Sequence, residues 1–102
     1  MKLVLLLYLE DDDDVVVRLL EAHGVSTWSR VSLEGHGAGA AGWYGEVAPY
    51  RSRMVFTAAT PECAAALVDA VTTLDGLADP RHPIHALQLD VERNVTSART
   101  SD

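Results

Sequence analysis

The sequence predicts one α+β domain in the order βαββαβ, a four-stranded antiparallel sheet with two helices on one of its faces. Three features carry that prediction. A run of consecutive apolar residues opens the chain, two helix-period stripes each end at a glycine, and three further stretches alternate apolar with polar residues. With 102 residues there is chain enough for one domain and one modest core.

Leu3 to Leu9 is apolar at every position. A strand of this kind is buried on both faces and lies centrally in its sheet. Lys2 followed by this run resembles the start of a secretion leader, but the run is short and ends in acids with no small-residue cleavage site. It is also too short to span a bilayer, so it is read as a strand. Asp11, Asp12, Asp13 and Asp14 then suit a helix N-terminus, where carboxylates cap free N–H groups and meet the positive end of the dipole. Val16, Leu19, Leu20 and His23 form an i, i+3, i+4, i+7 stripe, and Gly24 stops the helix. The first helix is expected over roughly 11–23.

Val25 to Leu33 reads as the second strand, with Val25, Thr27, Ser29, Val31 and Leu33 on one face and Trp28 and Arg30 on the other. Tyr50 to Ala58 reads as the third, with Tyr50, Met54, Phe56 and Ala58 opposite Arg51, Arg53 and Val55. Thr60 is an N-cap and Pro61 suits the first helical position. Ala64, Leu67, Val68 and Val71 repeat the helical stripe until Gly76, which places the second helix over roughly 61–75. Pro80 and Pro83 fall in a loop, and His85 to Val91 alternates as the last strand. Right-handed crossovers and strand adjacency make this the ferredoxin-like split βαβ fold, with strand order 4-1-3-2. The domain is expected over 1–95, with a flexible polar tail over 96–102. The sheet face without helices then has to be covered by something, and another subunit is the natural candidate.

Composition excludes some functions. With 15 acids against 8 Lys and Arg the net charge is −7, which is the wrong sign for a nucleic-acid footprint or an anionic membrane surface. Cys63 is the single cysteine, so no intrachain disulfide forms, as fits a cytoplasmic protein.

The segment between the second and third strands, Glu34 to Pro49, differs from the rest. It carries Gly35, Gly37, Gly39, Gly42 and Gly45 and is far longer than an ordinary hairpin loop. Glycines let backbone N–H groups approach an anion closely, but neither a lysine nor a helix follows, so this is no P-loop. Trp43 and Tyr44 near its middle call for something to bury against, either a ligand or their own sheet. The loop is therefore a candidate ligand-binding element through Gly35, His36, Gly37, Gly39, Trp43 and Tyr44.

Arg51 and Arg53, with Arg30 on the neighbouring strand, are candidate anion ligands. The same arginines equally suit acids of a neighbouring subunit, and the salt-bridge reading is the simpler one. His36, His82 and His85 are candidate metal ligands because imidazole binds zinc, copper and nickel, although His-x-x-His across a proline is not a standard ligand spacing. His23 reads as a helix-end residue. The Asp11–Asp14 run lacks the glycine and distal glutamate of an EF-hand and reads as capping rather than calcium binding. Cys63 reads as structural. No nucleophile–base set, carboxylate pair or cofactor fingerprint stands out, so no catalytic residue is assigned and no cofactor is named.

A ferredoxin-like order with a long Gly-rich loop between the second and third strands resembles the PII superfamily of signalling proteins. The loop stands where that family has its T-loop. The likeness runs over about 90 residues, from Leu20-Glu21-Ala22-His23-Gly24-Val25 to Tyr50-Arg51-Ser52-Arg53-Met54. Glu34-Gly35-His36-Gly37-Ala38-Gly39 is also similar to a Gly-His-Gly stretch of small PII-like proteins associated with heavy-metal efflux. The resemblance implies a non-catalytic, ligand-sensing homotrimer with a small-molecule effector and a protein partner. A metal-responsive protein linked to efflux is the alternative, and a small oligomeric ferredoxin-like enzyme is the third reading. The sequence departs from nucleotide-binding members at Asp75 to Pro83, which has no lysine where they carry a Gly/Lys-rich loop, and its 34–49 loop is shorter than their T-loop.

Overall fold

The computed structural model describes residues 1–36, 50–74 and 83–97. Its elements are β1 (Lys2–Leu9), a 3-10 turn (Glu10–Asp12), α1 (Asp13–Ala22), β2 (Ser29–Gly35), β3 (Tyr50–Ala59), α2 (Pro61–Val71) and β4 (His85–Asp90). The strands form one antiparallel sheet in the order β2-β3-β1-β4, with β1 and β3 central. This is the expected α+β ferredoxin-like fold and strand order.

Side chains alternate across a strand, so β1 divides its apolar residues between the two faces. Val4, Leu6 and Tyr8 are fully buried with Val55 of β3, Val16, Leu19 and Leu20 of α1, and Ala64 and Leu67 of α2. Leu3, Leu5 and Leu7 point the other way and are only partly covered. Across the sheet they line up with Ala58, Phe56 and Met54 on β3 and with Leu89, Leu87 and His85 on β4. Val31 and Leu33 extend the same face onto β2. Val31, Leu33, Leu87 and Leu89 are 36–45% exposed, which marks this side as an apolar face that the described residues leave open.

Element ends differ from the expected ones for local reasons. The acids do not cap α1: Glu10–Asp12 form the 3-10 turn, and Asp12 at the N-cap makes no side-chain cap bond. At the other end Gly24 adopts φ 70°, and its N–H and that of Val25 donate to the Glu21 and Leu20 carbonyls at 3.1 and 2.9 Å. This glycine-terminated C-cap carries the chain past Val25 before β2 starts, four residues later than expected. For α2, Thr60 accepts from the Cys63 N–H at 3.1 Å and Pro61 follows as first residue. That helix ends at Val71 rather than 75. Beyond it the Thr72 and Thr73 hydroxyls donate to the Asp69 and Ala70 carbonyls at 2.6 and 3.0 Å, replacing helix-continuing partners.

Candidate functional site

The loop base sits at the C-terminal end of β1. There β2 delivers Gly35 and β3 departs from Tyr50, in register with each other. β2 is the sheet edge, so this corner is open to solvent. Alternation places Arg30, Ser32 and Glu34 of β2, Arg51 and Arg53 of β3, and Tyr8 of β1 on the helix-bearing side. The α1 N-terminus brings Asp13 and Glu10 against them.

Asp13 is the hub. Its Oδ1 accepts from the Tyr8 hydroxyl at 2.7 Å and its Oδ2 from Arg30 Nη1 at 2.8 Å, while Arg53 Nη1 lies 3.5 Å away. Arg53 Nη2 is 3.5 Å from Glu10 Oε1. The Arg30 guanidinium lies over the Trp28 ring, 5.5 Å from its centroid, within cation–π range. The acids that meet Arg30 and Arg53 therefore belong to the same chain. Two arginines face two carboxylates, so the cluster is close to neutral. Arg53 Nε is buried and has no hydrogen-bond partner among the described residues. Burial first, and then the Asp13 hydrogen bond and charge, push the Tyr8 hydroxyl well above its ordinary pKa. Tyr8 is thus a donor that orients Asp13, not a base.

At the start of the loop His36 Nε2 lies 2.7 Å from Glu34 Oε2, both side chains being largely exposed. Arg51 is exposed and in register with Glu34. Of the residues singled out from the sequence, Gly35, His36, Arg51 and Arg53 thus share the loop-base corner. Gly37, Gly39, Trp43, Tyr44 and His82 lie outside the described residues. His85 is on β4, the opposite edge of the sheet from β2. With strands spaced by about 4.8 Å, three steps separate the two edges by roughly 14 Å, so one chain does not bring His36 and His85 onto one ion. Among the described residues no group of three or more His, Cys, Asp or Glu is placed to hold a metal. Among them, too, no helix is long and apolar enough to cross a membrane.

A cleft of about 300 Å³ opens at the far end of β2, lined by Gly24–Thr27, Thr57–Thr60 and Cys63. Its size is at the small end of ligand sites. Thr57 in its wall donates to the Thr27 carbonyl at 2.8 Å, tying β3 to the segment entering β2. Cys63 is a half-buried free thiol.

Sequence reading missed the roles of Tyr8 and Asp13. Tyr8 is the one residue of the Leu3–Leu9 run with a polar side-chain atom, and Asp13 is the first residue of α1. Those are the available signals, and neither says which strand Asp13 would meet.

No family model matches the sequence, and no curated protein matches it. Solved structures do match. A nitrogen regulatory PII-like protein from Thiomonas intermedia K12, CPII, solved with ADP, AMP and bicarbonate, superposes with a TM-score of 0.61 at 17% identity, over 92% of this chain and 94% of that one. The same protein with ADP, AMP and acetate gives 0.62 at 16% identity, over 90% and 88%. A PII-like signaling protein from Thermus thermophilus gives 0.58 at 16% identity, over 85% and 82%. At these identities the likeness is one of fold, and the fold is that of the PII-like proteins over most of both chains.

Proposed function

We propose that this chain is a non-catalytic, PII-like ligand-sensing protein that assembles as a homotrimer and works in the cytoplasm. Its Gly-rich 34–49 loop is ordered by a small anionic effector and then presents a different surface to a partner protein. The observation that carries the reading is fold likeness over most of the chain to a protein solved with ADP and AMP together with bicarbonate or acetate. Two features agree with it. The loop leaves and re-enters the sheet beside the exposed Arg51, a guanidinium suited to an anion, and the effector would meet Gly35, His36, Arg51 and Arg53 there. The second is the open face of Leu3, Leu5, Leu7, Met54, Phe56, Leu87 and Leu89, an apolar surface that a further subunit would bury. A Gly-rich segment costs much entropy to order, a cost that contacts with an effector would offset.

The Glu34–His36 pair, 2.7 Å apart, favours a second reading, a transition-metal response in which His36 supplies one ligand. Thermal-shift and calorimetric titrations with ADP, AMP, ATP, bicarbonate, zinc, copper and nickel distinguish the two, repeated with His36→Ala and Arg53→Gln. Stabilisation by a nucleotide or bicarbonate that weakens in Arg53→Gln supports the anion sensor. Stabilisation by a metal alone, lost in His36→Ala, replaces it with the metal reading. No response to any of them overturns both.

A further inference from the structure

A groove runs along α1 beside the chain that leaves α2, and the described residues leave it open. It holds about 250 Å³ and is lined by Val15, Arg18, Leu19 and Ala22 of α1 and by Leu74 just beyond α2. Val15, Leu19 and Ala22 fall at i, i+4 and i+7 and so form one stripe of the helix, with Arg18 beside it at i+3. The walls are held from behind. Leu19 belongs to the buried core and Leu74 packs against it. The Leu74 N–H donates to the Val71 carbonyl at 3.4 Å, and the Thr72 and Thr73 N–H groups donate to the Asp69 and Ala70 carbonyls at 3.1 Å. The glycine-terminated C-cap that follows Ala22 fixes the other wall. A ligand therefore meets a groove already formed, with little ordering cost.

Four of the five lining residues are apolar and the fifth is a cation. Lys2, Arg30 and Arg53 each meet a carboxylate of this chain, whereas Arg18 is exposed and makes no ion pair among the described residues. Asp14 and Glu21 stand about one turn to either side of it on α1, and neither bridges to it. A guanidinium with free donors suits a carboxylate, while its aliphatic stem lies along apolar surface. Side chains on a helix lean toward its N-terminus, which carries the Arg18 guanidinium toward the Val15 end of the groove. An anion held there also keeps clear of the negative end of the α1 dipole beyond Ala22. The space for an apolar tail is the remainder, toward Ala22 and Leu74.

We propose that this groove binds a medium-chain monocarboxylate, its tail lying on Val15, Leu19, Ala22 and Leu74 and its carboxylate on the Arg18 guanidinium. The dimensions set the tail. Val15 and Ala22 are two turns apart, about 10 Å along the helix axis, a span that an extended chain of about eight carbons matches. A volume of about 250 Å³ lies below the range of sites for larger ligands, about 300–1,000 Å³, and so points to a single short chain. Removal of the tail from water supplies most of the affinity. The charge chooses among tails of the same length, accepting an acid and discriminating against an amine. The groove shares no residue with the loop base, so it is a second site beyond the function proposed above, and the two stand or fall separately.

Amide NMR titrations of the isotopically labelled full chain at neutral pH test this with octanoate, butyrate and octylamine, each below its micelle concentration. The expected result is saturable shifts with octanoate, centred on Val15, Arg18, Leu19, Ala22 and Leu74. Butyrate should bind at least about tenfold more weakly, since each methylene taken from water is worth up to about a factor of four. Arg18→Gln, an exposed change that leaves the core intact, should weaken octanoate about threefold or more. Ala22→Phe, which fills the groove from an exposed position, should abolish the shifts while the circular dichroism spectrum stays that of the wild-type chain. Octylamine bound as tightly as octanoate, or equal octanoate affinity in Arg18→Gln, overturns the role of Arg18 and with it the proposal. Shifts confined to the open sheet face, around Leu5 and Leu87, mean indiscriminate apolar binding and overturn the site. No saturable shift with octanoate overturns it as well.

Discussion

The two faces of the sheet share the same strands and differ in what they touch. On one, Val4, Leu6 and Tyr8 are fully buried under α1 and α2. On the other, Leu3, Leu5 and Leu7 stand between Phe56, Met54, Leu87 and Leu89 with no second layer from the described residues of the chain itself. Both carry apolar residues, and coverage is what distinguishes them. The covered face holds the monomer together by packing, whereas the open face contributes in full only when another molecule removes its water. The charged residues divide along the same line: Arg30, Glu34, Arg51 and Arg53 lie on the helix-bearing side, and the proposed assembly surface lies on the other.

The contrast breaks most readily in the core. Leu6→Ala should cost about 3 kcal/mol of unfolding free energy, as large-to-small changes at fully buried sites do, at any protein concentration. Leu5→Ala, one residue away, should cost the single chain about 1 kcal/mol or less, and any further loss should grow with protein concentration because it acts through assembly. Urea titrations at two concentrations a hundredfold apart measure both. Equal, concentration-independent losses would mean that the faces do not differ as described.

Smaller effects sharpen the picture on the helix side. Gly24→Ala should destabilise by about 1–2 kcal/mol, purely from the φ of 70°, since a Cβ there meets nothing within 4 Å. Thr60→Ala should cost about 1 kcal/mol through loss of the cap to Cys63. Tyr8→Phe removes the hydroxyl that holds Asp13 and should also cost about 1 kcal/mol, and it should loosen Arg30 and Arg53. That last effect would be read as weaker binding of whichever anion the titrations identify. The smallest effect expected is at Lys2, which pairs with Asp90 across the β1–β4 edge. This contact holds the Asp90 carboxyl below its ordinary pKa, yet it is solvent-exposed and screened by salt. Lys2→Met should leave the melting temperature unchanged within error at about 0.15 M salt.

Fold and site were legible to different degrees. The strand order could be read ahead of the structure because apolar periodicity is local and the connection rules leave few topologies. Helix capping was legible at Thr60-Pro61 and at Gly24, where one residue's own chemistry sets the geometry. At Asp11 to Asp14 the acids do stand in the first turn, but Asp12 at the N-cap makes no side-chain cap bond. A carboxylate that can cap can also turn toward the sheet, and Asp13 meets Tyr8 and Arg30. Arg30 and Arg53 were recognised as charges needing partners, but Asp13 lies 17 and 40 residues away from them along the chain. Sequence spacing says nothing about such contacts.

By itself, then, the sequence determined the element order, the apolar stripes that would form the core, and a glycine-rich connection unlike the rest of the chain. These depend on side-chain periodicity and backbone preference, which act over a few residues. Only the tertiary structure decided which of the β1 apolar residues the helices cover, which arginines Asp13 holds, and that His36 and His85 stand at opposite edges of the sheet. Those outcomes depend on strand register and helix placement, and a shift of one residue in register would have exchanged every side chain between the two faces.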